Sequence, residues 1–215
     1  MDNQPHFNIL TRTAKRPNYF KALCKSIDEQ DYQNWSHHVI TDDPESSNYI
    51  ETQGRMPTIT TRLEKRQDIN QHFPYNLYIN ELYRNVNEGY VLAIDDDDCF
   101  LTPQALSLLA SVIENAGTFP TLFWRVQFPD GLLIPRDAEN FVFMPGNISG
   151  IGFCFHTKFI DAAKWDQFKE SDFRVAHKIR LVSDDVLYLR KAVLTGLQRS
   201  SGMGGLGLMD DLAKN

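Results

Sequence analysis

Residues 90–101 read YVLAIDDDDCFL, an apolar run that ends in four consecutive aspartates. Adjacent carboxylates repel one another, and aspartate is a poor strand former. A divalent cation would neutralise such a cluster: hard oxygen ligands in this number suit Mg2+ or Mn2+, which in turn bridge phosphate oxygens. A calcium loop of the EF-hand type is excluded by spacing, because no glycine stands at its sixth position and no glutamate at its twelfth. A solvated acidic turn is the plainer explanation. Against it, the acids follow an apolar strand directly, and ligands of open α/β sheets gather at the carboxyl ends of strands. A second acidic group, Ser183-Asp184-Asp185, stands late in the chain.

The elements that must position these acids follow from periodicity. HFNILTR (6–12) reads as a first buried strand. KRPNYFKALCKSIDEQDY (15–32) reads as a helix with Pro17 near its start and Tyr19, Phe20, Leu23, Cys24 and Ile27 at helical spacing. WSHHVITDD (35–43) is a second strand that ends in two acids. Residues 44–72 are weakly periodic, with room for a strand and a loop. NLYINELYRNVNEG (76–89) predicts an amphipathic helix closed by Gly89. The acidic strand follows, and then a helix over 102–117 with Thr102 as N-cap, Pro103 in its first position and Gly117 at its end. A hairpin turns around Pro129–Asp130–Gly131. Residues 140–160 read as strand with a glycine-rich bend, and FIDAAKWDQF (159–168) and SDDVLYLRKAVLTG (183–196) as the last helices. In that last segment Ser183 or Asp184 would serve as N-cap. This order predicts an α/β class chain of 215 residues with one domain. Its glycine-rich tail, 200–215, reads as mobile.

Composition narrows the function. A net charge of −6 argues against nucleic acid as a partner, while leaving room for a nucleotide held through a metal. Cys24, Cys99 and Cys154 are an odd count in apolar surroundings with no zinc-site spacing, which points to a reducing, cytoplasmic setting. No secretory leader and no apolar run long enough to span a bilayer is visible, so any membrane contact would be peripheral.

Three ordered motifs carry a resemblance. The stretch ILTRTAKRPNYFKALCKSIDEQDYQNWSHHVITDD, then GYVLAIDDDD, then SDDVLYLRKAVLTG together resemble family 2-type glycosyltransferases of the GT-A fold, across about residues 7–196. The resemblance implies a Rossmann-related domain with a central, mostly parallel mixed sheet flanked by helices. Residues 1–98 would bind the nucleotide sugar and 99–199 the acceptor. It implies an inverting transfer, dependent on Mn2+ or Mg2+, from a nucleotide-diphosphate sugar, UDP-linked by first choice, to a hydroxyl of a glycan or glycoconjugate. By motif position Asp97 ligates the metal. Asp95 contacts ribose or the metal's water shell, with Asp96 and Asp98 allowing another register. Thr11, Arg12 and Asp42 match nucleotide-binding positions, and Asp42 could accept from a uracil N3–H. Asp185 matches the general base, with Asp184 in reserve.

Further candidates come from the residues around these motifs. Gly150 and Ile151 fall on the acceptor side, with His156 beyond them. Trp124, Trp165 and Trp35 offer rings for a sugar, although large aromatics are usually core. Arg62, Lys65 and Arg66 form a basic patch that could meet the diphosphate. Two rival functions remain: a magnesium-dependent phosphohydrolase of the haloacid dehalogenase type, with the first aspartate of a D-x-D as nucleophile, and a nucleotide-sugar-binding module without turnover.

Overall fold

The computed structural model describes residues 4–53, 58–64 and 73–199; the glycine-rich tail and Lys65 and Arg66 lie outside them. Three parallel strands are built first. β1 (Phe7–Arg12) lies between β2 (Trp35–Thr41) and β4 (Tyr90–Ala93), and β3 (Thr58–Arg62) adds to the outer side of β2. β1 and β2 are linked by α1 (Pro17–Asp28), whose buried face is the Tyr19, Phe20, Leu23, Cys24, Ile27 set read from the sequence. α2 (Ser47–Ile50) and α3 (Leu77–Leu82) are short, and two 3-10 turns flank α3.

Past β4 the sheet continues as β8 (Phe153–His156), β6 (Pro120–Gln127), β9 (Asp185–Leu197) and β5 (Asp98–Phe100), with β7 (Leu133–Ile134) hairpinned onto β6. Four of the strand pairings are parallel and four antiparallel among the described residues, so the sheet is mixed and not mostly parallel. α4 (Ala105–Ala116) ends at Gly117 in the left-handed region, φ 66°. It begins two residues after the expected Pro103, with Gln104 as cap.

Strand alternation sorts the core into two layers. Phe7, Ile9, Leu92, Leu122 and Trp124 face one side with Leu23 and Ile27 of α1 and Leu106 and Leu109 of α4. Leu10, Val91, Phe123 and Phe155 face the other, with Ile79 and Leu82 of α3 and Val175 and Ile179 of α5 (Ser171–Val182).

Two helix expectations fail. Residues 183–196 form β9, because Val186 and Tyr188 go to one layer while Leu187 and Leu189 go to the other, a period of two. The helix lies one segment earlier, as α5, and Ser183 is its C-cap and not the N-cap of a following helix. Residues 159–168 form turns, with Asp166 clamped by the Arg174 guanidinium at 2.6 Å through two bonds. Gly89 does not close a helix either. It has φ 88° at the start of β4, and a Cβ there would stand 2.4 Å from the carbonyl oxygen of His6.

Two buried histidines sit in the middle of β2, His37 and His38. Thr11 gives its hydroxyl hydrogen to the Ile94 carbonyl at 2.7 Å, so the His37 Nε2–H donates to the Thr11 oxygen at 2.9 Å. The Asn8 amide gives its hydrogens to Glu88 and Tyr90 carbonyls, leaving its oxygen to accept from His38 Nε2 at 3.2 Å. Burial lowers His37 to about 3 and His38 to about 4, with a neighbouring imidazole adding to each. An unfolded histidine takes up its proton near 6.5. Between pH 6.5 and about 4, therefore, the unfolded chain holds the extra protons and stability falls as pH falls. The two rings together should cost about 4 kcal/mol between pH 8 and pH 5. Urea titrations at the two pH values, with His37→Gln/His38→Asn as the flattened control, measure it; an equal pH slope in the control would remove the assignment.

Candidate functional site

β4 ends at Ala93, and the four aspartates turn directly into β5, whose first residue is Asp98. The loop is closed by an Asp98 N–H bond to the Asp95 carbonyl at 3.0 Å. The chain leaving β9 holds it from outside: Gln198 N–H donates to the Asp97 carbonyl at 2.8 Å and its side-chain amide to the Asp98 carbonyl at 2.6 Å.

The four side chains diverge. Arg12, at the end of β1, clasps Asp95 with both fork arms, one at 2.8 Å. Asp96 turns inward and is fully buried; Thr13 donates to it at 2.7 Å and Arg16 at 3.1 Å. Arg16, at the N-cap of α1 and 2% exposed, also reaches Asp97 Oδ2 at 2.6 Å. Asp95, Asp97 and Asp98 each bring one carboxylate oxygen into a set lying within 4.8 Å of one another. Burial raises Asp97 and raises Asp98 well above the carboxylate range, and the neighbouring aspartates push further in the same direction against Arg16. Three convergent hard ligands, with the charge of Asp97 and Asp98 disfavoured by burial, fit a divalent cation.

These acids form one wall of a pocket. Arg12 lines it too, its guanidinium 5.5 Å from the Tyr75 ring centre and 5.8 Å from that of Trp165. Trp165 is fixed by Asn80, which bonds its backbone N–H and carbonyl at 2.9 Å, and by Tyr83, whose hydroxyl accepts from the indole at 3.0 Å. Ser149, Gly150 and Ile151 line the same pocket, and Gly150 meets the first turn of α5. A Cβ on Gly150 would stand 3.3 Å from the Trp165 ring, so glycine allows this approach. The Gly150 N–H donates to Asp172 Oδ2 at 3.1 Å. Burial raises the Asp172 carboxyl; the N–H groups of Phe173 and Gly150 pull it back. Glu170, in the left-handed region at φ 64°, also lines the pocket.

Arg12, Asp95, Asp97, Gly150 and Ile151 therefore meet in one place. Thr11 does not join them: it is fully buried and its hydroxyl ties β4 to His37. Asp96 lies beneath the pocket wall. Asp42 follows β2 and accepts from the Tyr78 hydroxyl at 2.7 Å, away from the pocket lining. Arg62 is exposed on the edge strand and paired with Glu51. Trp124 is core, its indole bonded to Thr195 at 2.9 Å.

The late acids are displaced furthest. β6 and β9 run in the direction of β4, since β8 is antiparallel to both β4 and β6. Asp185 pairs with Pro120 at the start of β6, and His156 pairs with Tyr90 at the start of β4. Both thus lie at the opposite end of the sheet from Asp95–Asp98. Asp184 is ion-paired there with Lys158. The acids that do face the pocket, Glu170 and Asp172, were open to detection as an acidic pair before the apolar positions Val175, Ala176 and Ile179. Arg16 and Arg199 carried no comparable signal.

No protein-family model matches the sequence, and no curated protein matches it. Solved structures share its fold. The chain superposes on residues 1–349 of S. aureus TarS in complex with UDP-GlcNAc with a TM-score of 0.74, at 16% identity over 92% of this chain and 59% of that one. Longer TarS gives 0.69 at 15% identity, over 91% and 37%. The mannosyltransferase PcManGT from Pyrobaculum calidifontis, in complex with GDP-Man and Mn2+, gives 0.66 at 15% identity, over 95% and 59%. The chain spans about three fifths of the length of the TarS 1–349 and PcManGT chains. It has a glycosyltransferase-like fold, a mixed α/β sheet with an acidic cluster suited to a cation at its carboxyl end.

Proposed function

We propose that the protein is a metal-dependent glycosyltransferase. It takes a sugar from a nucleotide-diphosphate sugar and transfers it to a hydroxyl of a glycan or glycoconjugate, inverting the anomeric carbon. The observation that carries this reading is the convergence of Asp95, Asp97 and Asp98 in one pocket that Asp172 also lines. A bound Mn2+ or Mg2+ supplies Lewis-acid stabilisation of the departing diphosphate. Two of the similar folds are known in complex with UDP-GlcNAc and with GDP-Man and Mn2+, which lends support.

The chain's own residues divide the work. Arg12 holds Asp95 aimed through two bonds, and Tyr75 and Trp165 give the pocket an apolar wall for a sugar face. Asp172 takes the role of base that the motif comparison gave to Asp185. It accepts the acceptor hydroxyl's proton as that oxygen bonds to the anomeric carbon, while the carbon–oxygen bond to phosphate breaks and its electron pair leaves with the diphosphate. Residues up to Asp98 would serve mainly the donor and later ones mainly the acceptor. The free thiols of Cys24, Cys99 and Cys154 suit a reducing, cytoplasmic compartment. The phosphohydrolase reading is disfavoured because its D-x-D motif normally opens the fold, whereas β1, α1 and β2 precede the acidic strand here.

Calorimetry with Mn2+ and a nucleoside diphosphate tests the proposal. Asp97→Ala should lose Mn2+-dependent nucleotide binding and stay folded, since Val91, Leu92 and Ile94 hold the strand in the core. Equal nucleotide affinity in variant and wild type would end the metal role. For the base, Asp42 offers an acceptor to a uracil N3–H, so UDP should raise the melting temperature more than GDP; the reverse order would remove that assignment.

A further inference from the structure

Arg199 is the first residue but one after β9, and Gln198 fastens the segment to the acid loop. Its side chain is only 9% exposed and lines the pocket beside Asp97. Its guanidinium lies 5.7 Å from the centre of the Tyr19 ring in the first turn of α1. Nη1 is buried without a hydrogen-bond partner. Asp97 Oδ2 stands 3.9 Å away, near enough for attraction and too far for a bond. That oxygen already has Arg16 at 2.6 Å. A buried N–H donor left unmade is costly and needs an explanation.

Charge makes the position more specific. The four carboxylates of Asp95–Asp98 face the three guanidiniums of Arg12, Arg16 and Arg199. Three guanidiniums thus already offset these carboxylates, and a cation adds positive charge beside the unpartnered donor of Arg199, where an anion would offset it. An arginine fork is shaped for two phosphate oxygens, and Nη1 is the donor free to take one.

Resting on the glycosyltransferase reading, we propose that Arg199 is the diphosphate-binding residue of this pocket and makes cation and diphosphate binding interdependent. It turns from its loose hold on Asp97 to the phosphate oxygens of a nucleoside diphosphate. In doing so it moves a positive charge away from Asp97, to which Arg16 stays bonded, and so favours the cation there. Binding linkage is reciprocal, so each ligand strengthens the other through the same residue.

The test measures Mn2+ alone, then UDP, GDP and UMP with Mn2+, by calorimetry on wild type, Arg199→Gln and Arg199→Lys. Arg199→Gln removes a positive charge beside Asp97, so Mn2+ alone should bind as tightly as to wild type or several-fold tighter. The better-bound of UDP and GDP should weaken about 10- to 100-fold, the loss of a charged hydrogen bond. The preference for UDP over UMP should shrink with it. Arg199→Lys, which keeps the charge and loses the fork, should show wild-type Mn2+ affinity and an intermediate diphosphate affinity, and it serves if the glutamine variant does not fold. Unchanged diphosphate affinity and an unchanged UDP-to-UMP ratio in the variants would overturn the role of Arg199 while leaving the functional reading intact. Failure of the wild type to bind either diphosphate with Mn2+ would overturn the functional reading itself.

Discussion

Asp172→Asn should leave donor binding nearly unchanged while sugar transfer falls by about 10²–10⁴. The substitution keeps the size of the side chain. It retains one acceptor oxygen for the Gly150 or Phe173 N–H, so the stability cost is about 1 kcal/mol, one hydrogen bond. What it removes is the capacity to take a proton. Because burial raises the Asp172 carboxyl, the wild-type rate should fall as pH drops through a value above the ordinary carboxylate range, and that limb should vanish in the variant. Asp184→Asn and Asp185→Asn are the matched controls and should transfer at near wild-type rates, since both residues stand at the far end of the sheet. Product NMR should show an inverted anomeric centre. Near-normal transfer by Asp172→Asn, or retention of configuration, would discard this assignment of the base.

Arg16→Leu should destabilise the fold by about 3–5 kcal/mol, the cost of breaking a buried pair by removing one partner. In a chain of this size that is a loss of roughly 6–20 °C in melting temperature. The reason is Asp96, fully buried with Arg16 as its counter-charge. Arg16→Leu/Asp96→Asn should recover much of the lost stability, since it removes the carboxyl left without its counter-charge. Differential scanning fluorimetry reads both variants. A deficit that Asp96→Asn does not relieve would show that Arg16 acts by packing alone.

The first half of the fold was legible because its signals are local and agree. In β1, α1, β2 and β4 the apolar period, the proline at the helix start and the polar strand ends all point one way. β9 was not legible. LYLRKAVL satisfies a helical spacing as well as an alternating one, and only its parallel pairing with β6, some 65 residues distant, selects the strand. α5 escaped for the converse reason: Arg174, His177, Lys178 and Arg180 interrupt its apolar face, and only Val175, Ala176 and Ile179 are both apolar and buried. That exchange of strand for helix moved the expected base from one end of the sheet to the other. The acid loop itself was plain in the sequence, while the roles of its members were not. The turn sends Asp96 inward and Asp98 toward the cluster, and side-chain direction in a turn has no sequence period to reveal it.

The clasp on that loop has a consequence for how the protein folds. Arg16 grips it from 81 residues before Asp97, and Gln198 from 100 residues beyond Asp98. Contacts of such sequence separation carry the largest loop-closure entropy and form late. The pairing of β1, α1 and β2 is local by comparison. In pulse-labelled hydrogen exchange during refolding, the amides of β1 and β2 should be protected first. The Gln198 amide, bonded to the Asp97 carbonyl, should be among the last. The acidic loop is thus assembled only on a sheet that has already formed, and the growing chain does not gather its four carboxylates until β9 has docked beside β5.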